Sequence, residues 1–303
     1  MFRAWILAAS WAVPWAVLAA DVSGTITILE GDALVYRGTG RVHGAEGLRV
    51  QPGDIVETSS STFAQLELAD QSVVQLGPST RVLFHVPSGK RSERWLYVMD
   101  GWAKITGAKR EGAAAPAFDT RTPLVDIPAS AAVIVLRTSP AEATVFVERG
   151  DVRLGERQSG AAPAPAALRS GDFYRRKAGA RGTTSPSPTQ AFVTEMPRHF
   201  RDSIPLRGER WKDRPAPARE AADFGYADVE AWLKAESSVR RPLMQRWRVK
   251  AREPAFRSAL VANLSSHPEW DPILFPEKYK PKDPPVRAVM AARPASTAST
   301  AAP

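Results

Sequence analysis

The four histidines, His43, His85, His199 and His267, stand far apart in the sequence, and none pairs with another at metal-ligand spacing. No His-Glu-x-x-His run, Gly-x-Ser-x-Gly elbow or glycine-rich phosphate loop between a strand and a helix occurs. The chain has no cysteine, which excludes disulfide stapling, thiolate catalysis and cysteine-ligated zinc. Two carboxylate pairs, Asp54 with Glu67 and Glu57 with Asp70, would suit glycan hydrolysis if the fold enclosed them. On strands, however, acidic residues ordinarily occupy the wet face. Gly-Asp recurs at Gly31-Asp32, Gly53-Asp54, Gly150-Asp151 and Gly171-Asp172, with a related Asp100-Gly101. The pairs lack the dense Asp/Asn spacing of a calcium loop. They predict turns, because glycine tolerates positive φ and aspartate bonds nearby backbone. The sequence therefore nominates no catalytic, metal or cofactor residue, and a non-enzymatic protein is expected.

The basic residues are the stronger lead. Arg240, Arg241, Arg246, Arg248, Lys250 and Arg252 fall within thirteen residues around Trp247 and near Trp232. Clustered cations with aromatics suit anionic polymers, head groups or glycans, so these six are the candidate partner contacts. The competing reading is a solvated helix face with both tryptophans in the core. The formal net charge of +9 adds a salt-sensitive attraction to anionic surfaces. Reversal of Arg240, Arg241, Arg246 and Arg248 to glutamate is expected to abolish envelope association and leave the fold intact.

The elements that must position these residues differ along the chain. From Thr25 to about Tyr174, short β-branched or alternating runs recur, such as Phe63-Ala-Gln-Leu-Glu-Leu68, and glycine turns separate them. That period of two predicts an all-β region over residues 21–177, built of stacked short strands in a solenoid- or sandwich-like arrangement. An Ala/Pro-rich insertion is expected at 155–168, and a flexible linker over 178–195. Residues 196–283 read as a basic, proline-rich module that begins extended and becomes helical. Val229, Trp232 and Leu233, then Val239, Leu243 and Trp247, then Phe256, Leu260 and Leu264, give three helical stripes. Ser237 or Ser238 is the expected cap of the second helix, with Pro242 in its first turn, and Pro254 opens the third. The aromatic, proline-punctuated stretch 267–279 is expected to pack back over the helices, and 284–303 to be disordered.

Residues 1–20 carry one arginine, an apolar run and small residues at Ala19 and Ala20. This is the form of a signal peptide cleaved after Ala19 or Ala20, and it predicts export to a bacterial periplasm. Export makes nucleic acid an unexpected partner.

The β region resembles the extracytoplasmic domain of the FecR family. The residues that carry the resemblance are Gly53-Asp-Ile-Val-Glu-Thr58, Phe63 to Asp70, Ser72 to Val82 and Leu96-Tyr-Val-Met-Asp-Gly101. A closing block follows, Thr144 to Leu154 ending at Leu168-Arg-Ser-Gly-Asp172. Gln71 departs from the pattern, standing where the family usually has glycine, and Val125 to Ser130 replaces a Gly-Thr pair. Regulatory members of the family control a sigma factor through a cytoplasmic helical region and a spanning helix, and here only Arg3 precedes the apolar run. The resemblance thus implies a periplasmic binding or scaffold protein that contacts an envelope protein or an anionic glycan, with peripheral membrane contact as a further option. The second implied function is a membrane-anchored sensor in cell-surface signal transduction. The resemblance does not extend to the helical module.

Overall fold

The computed structural model describes residues 23–85, 94–108, 118–157 and 165–280. The expected signal peptide at 1–20 and tail at 284–303 lie outside the described residues. The first half of the β region is β1 (Gly24–Glu30), β2 (Ala33–Arg37), β3 (Gly40–His43), β4 (Arg49–Val50), β5 (Ile55–Thr58), β6 (Phe63–Leu68), β7 (Val73–Leu76) and β8 (Arg81–His85). The long β9 (Arg94–Thr106) follows, then β10 (Phe118–Arg121), β11 (Val125–Ile127), β12 (Val133–Thr138), β13 (Glu142–Arg149) and β14 (Val152–Glu156). β15 (Ala166–Leu168), β16 (Phe173–Lys177), β17 (Thr183–Ser185) and a late β18 (Arg219–Glu220) complete the set. These strands form one curled sheet in which β9 with β10 is the parallel pairing and the other pairings are antiparallel. The expected mainly-β class is what the chain adopts.

The curl turns on β9. Its first half pairs with β8, from His85 opposite Trp95 to Arg81 opposite Asp100. Its second half, from Gly101, pairs with β7 and β12. Gly101 sits at the switch with φ +100°, and a Cβ there would lie 2.5 Å from the Thr80 Cα. Only glycine fits that bend. The other four Gly-Asp glycines also have positive φ, as expected of turns.

The curled sheet encloses a core of inward side chains, among them Val35, Val56, Val82, Phe84, Leu96, Val98, Leu136 and Val145. Its outer faces are covered as well. On β2, β5, β8 and the first half of β9, Tyr36, Ile55, Leu83, Trp95, Tyr97 and Met99 point away from that core into a second one. The second core is completed by α3 (Tyr226–Leu233), α4 (Ser237–Trp247) and α5 (Pro254–Ala262), which follow the short α1 (Gln190–Glu195) and α2 (Gly208–Trp211). Val229, Trp232, Leu233, Val239, Leu243, Trp247, Phe256 and Leu260 are all buried, as their spacing predicts. Leu264 is only partly buried, at the edge of this core. Residues 267–279 do pack back, through Trp270 of the turn leading into α6 (Asp271–Leu274) and Leu274 at the end of that helix. The beta region and the helices therefore share one apolar interior.

Several local expectations are corrected. Residues 178–195 do not form a flexible linker: β17 pairs with β16, and α1 buries Phe192 against Trp102 and Phe173. Phe192, Met196 and Phe200 close a third core over Ile28, Phe63 and Val135, which outweighs the Gly/Ser/Pro composition. Of the supposed insertion 155–168, the ends belong to the antiparallel β14–β15 pair, and 158–164 lie outside the described residues. Residues 196–220 are bound to the sheet by side chains of β6. Gln65 Nε2 donates to the Pro205 carbonyl (3.2 Å), and the Glu67 carboxylate accepts from the Arg207 and Gly208 amides (2.7 and 2.9 Å). Glu236, not a serine, stands at the cap of α4, and Ser238 Oγ donates to its carboxylate (2.9 Å). Pro242 lies inside α4, on its exposed side, so the carbonyl it cannot satisfy faces water. Pro254 opens α5 as expected.

Gln71, at the β6–β7 turn, has φ 67°, the conformation for which glycine is the ordinary choice. Gln71→Gly is expected to stabilise the chain by about 0.5–1 kcal/mol in urea unfolding, since the left-handed cost outweighs glycine's extra unfolded entropy. A loss of stability would contradict this turn geometry.

Candidate functional site

The six candidate contacts divide into two groups. Arg240 donates from Nε and Nη2 to Glu269 Oε1 (3.0 and 2.6 Å) and from Nη1 to the Ala235 carbonyl (3.0 Å), tying α4 to the 267–270 turn. Burial pushes the Glu269 carboxyl up, but the Arg240 hydrogen bond, the residue's own backbone amide and nearby cations leave it below the usual range. Arg246 reaches across to the β region and donates to the Gly53 carbonyl. A Cβ at Gly53 would lie 2.3 Å from Arg246 Nη2, so the Gly53-Asp54 turn is also the seat of this arginine. Burial lowers the Arg246 pKa, and the nearby Asp54 charge opposes that shift. Lys250 is buried, with Nζ 2.6 Å from Asp223 Oδ2, 3.0 Å from Glu253 Oε1 and 4.7 Å above the Phe224 ring. These three cations hold the fold together. Reversing Arg240 and Arg246 would break it, contrary to the expectation from sequence.

Arg241, Arg248 and Arg252 are exposed and have no ion-pair partner among the described residues. With Gln245 they lie at i, i+4, i+7 and i+11, one stripe along α4 and its continuation. Arg248 and Arg252 also line a groove of about 380 Å³, together with Arg257 of α5, Ala251, Ile273 and Pro276. Arg257 donates to the Leu274 carbonyl and lies 6.0 Å from the Phe275 ring, which fixes its guanidinium at the rim. Sequence reasoning did not include Arg257, because Pro254 separates it from the cluster and only the α4–α5 turn brings it round.

The carboxylate pairs are each committed to the scaffold. Asp54 takes a forked hydrogen bond from Arg37 (Nη2 2.6 Å) and the Gln51 amide (2.9 Å). Asp70 accepts from the Ser72 and Phe118 amides (3.0 and 3.2 Å). Glu57 accepts from Trp232 Nε1 (2.8 Å) and from the Tyr36 hydroxyl (3.4 Å). Burial pushes the Glu57 carboxyl above its usual range, and the Trp232 hydrogen bond and Arg81 charge only partly offset this. Glu67 is occupied by the two amides described above.

The histidines are equally dispersed. His85 stacks on Trp95 (4.0 Å), His199 stacks on Phe63 (4.5 Å) and sits 3.0 Å from Glu30. His267 is buried with Nε2 3.1 Å from the Tyr226 hydroxyl, and burial holds it below the usual histidine range. His43 lies exposed at the β3–β18 pairing. Among the described residues no three His, Asp or Glu side chains gather at metal-binding distance. A cavity of about 660 Å³ runs beside Trp102 and Phe192, and four of its charged lining residues are already paired, as Arg137–Glu195 and Arg175–Glu142.

Against this geometry the comparisons can be placed. The family model described as FecR protein matches residues 54–153, from the Gly53-Asp54 turn to β14. The match covers about a third of the chain, within the region whose residues resemble the family. Two solved structures of a candidate anti-sigma factor from Parabacteroides distasonis ATCC 8503 are 18% identical, with TM-scores of 0.38 and 0.37. Each likeness covers 46% of this chain, and 64% or 62% of the other, so the chain spans less than two thirds of either. No curated protein matches.

Arg240→Ala is expected to cost about 1–3 kcal/mol, because Glu269 is left partly buried without its cation. Arg241→Ala, Arg248→Ala and Arg252→Ala should each stay within about 0.5 kcal/mol of the wild type. Urea unfolding of the four variants checks this. Equal costs would contradict the division of the cluster.

Proposed function

We propose that this FecR-domain chain is a non-enzymatic sensor in cell-surface signal transduction. The observation that supports it is the FecR match across β5 to β14, since that family is regulatory. It favours signalling over the passive scaffold that the sequence first suggested. In this reading the folded part faces the periplasm and the apolar stretch at residues 1–20 is retained as an anchor. No helix among the described residues is long and apolar enough to cross a membrane.

The shared interior supports a sensing role physically. A ligand at either face acts on one packed body, and the helices cannot move without exposing Tyr36, Tyr97 and Met99. The carboxylates are spent on backbone and cation partners, which fits a protein that works by contact. Its partner is an envelope protein or an anionic glycan.

Fractionation of the producing bacterium with N-terminal sequencing and cross-linking tests this reading. The expected species keeps its first residues, sits in the inner membrane and cross-links to a receptor or regulator. A soluble periplasmic form beginning at Ala20 or Asp21 would return the assignment to the scaffold.

A further inference from the structure

The groove between α4 and α5 has features that the signalling reading does not use. The chain has 32 acidic residues, and the fold supplies them to Arg240 and Lys250 within the same thirteen residues. It supplies none among the described residues to Arg248, Arg252 or Arg257, which line one concave space. Three guanidiniums carry three positive charges and, with one Arg257 N–H spent on the Leu274 carbonyl, up to fourteen N–H donors in planar forks. A single carboxylate would leave two of the cations uncompensated. A phosphomonoester, with a charge of about −1.5 to −2 and three acceptor oxygens, balances them better.

Of the remaining lining, Gln245 adds an amide donor for that anion, and Ala251, Pro272, Ile273 and Pro276 suit an apolar continuation. In the sequence around these arginines two large apolar side chains stay exposed. Val249 is 44% exposed next to Arg248, and Val261 is 42% exposed one helical turn after Arg257. Arg257 and Val261, four apart on α5, share a helical face, and a cation beside an exposed valine is what an anionic membrane interface requires.

We infer that this groove binds the phosphomonoester head group of an anionic phospholipid, with Arg248, Arg252 and Arg257 on the phosphate and Val249 and Val261 at the acyl boundary. The inference concerns a different surface from the FecR match and does not depend on the signalling role.

Co-sedimentation of the purified full chain tests it, with phosphatidylcholine vesicles and the same vesicles containing phosphatidic acid, at low salt and at 0.5 M salt. The wild type is expected to bind the phosphatidic-acid vesicles selectively. The double variant R248A/R252A should bind about thirtyfold more weakly, with an unchanged thermal midpoint because neither side chain has a described partner. Arg241→Ala removes one positive charge where the double variant removes two, lies outside the groove, and should change binding less than threefold, below the roughly fivefold per charge of the double variant. No preference for phosphatidic acid, or an equal loss in Arg241→Ala, would overturn the inference and leave only diffuse charge attraction. Glycerol phosphate in solution, binding as tightly as the vesicles and displaced by the same substitutions, would reassign the groove to a soluble phosphate ester and overturn the lipid assignment.

Discussion

The contact between the outer face of the sheet and the tryptophans of α3 and α4 is the constraint on which the rest of this structure depends. Tyr36, Ile55, Leu83, Tyr97 and Met99 would expose a broad apolar surface if the helices were elsewhere. Trp232 and Trp247 bury their rings there and still satisfy their indole N–H groups, on Glu57 (2.8 Å) and on the Gly38 carbonyl (3.1 Å). Full burial of such rings contributes several kcal/mol each, and their loss as alanine costs about 3–5 kcal/mol. The polar anchors also fix direction, since one ring must face β5 and the other the β2–β3 turn. Arg246 on Gly53 and Lys250 on Asp223 then set the outer edge of the docked helices.

This double coverage explains which elements could be read from the sequence. The alternation of Phe63-Ala-Gln-Leu-Glu-Leu68 marks a strand correctly, and the three helical stripes name side chains that are buried in the structure. β9 carried a further signal. Trp95-Leu-Tyr-Val-Met99 has no polar residue at all, which a strand with one wet face would require. Trp95, Tyr97 and Met99 meet the helices, while Leu96 and Val98 meet the sheet's own core. The same holds for Ile55-Val56 and Val82-Leu-Phe84. An unalternating run inside an otherwise alternating domain implied that something covers the outer face.

What stayed illegible depended on partners distant in sequence. The stretch 178–195 has the composition of a linker, and only the pocket made by Trp102 and Phe173 gives Phe192 a reason to be ordered. The basic cluster was visible as a charge run, but its division required Gly53, Asp223 and Glu269 to be placed in space. Arg240, Arg246 and Lys250 proved to be structural, and Arg241, Arg248 and Arg252 the free outer stripe. The functional content of the cluster therefore narrows to its exposed half, with Arg257 added across the turn. The carboxylates show the same rule in reverse. Asp54, Glu57, Glu67 and Asp70 each hold a specific amide, indole or guanidinium, so a pair chosen by sequence spacing had no common site to share.

The curled sheet, clasped on one outer face by helices and on the other by the 192–200 segment, behaves as a single packed body. Differential scanning calorimetry of the full chain tests it most directly. The account requires one transition over the β and helical regions, with calorimetric and van't Hoff enthalpies in agreement. Two separable transitions, with the tryptophan fluorescence of the helices changing before the β-sheet signal is lost, would contradict it.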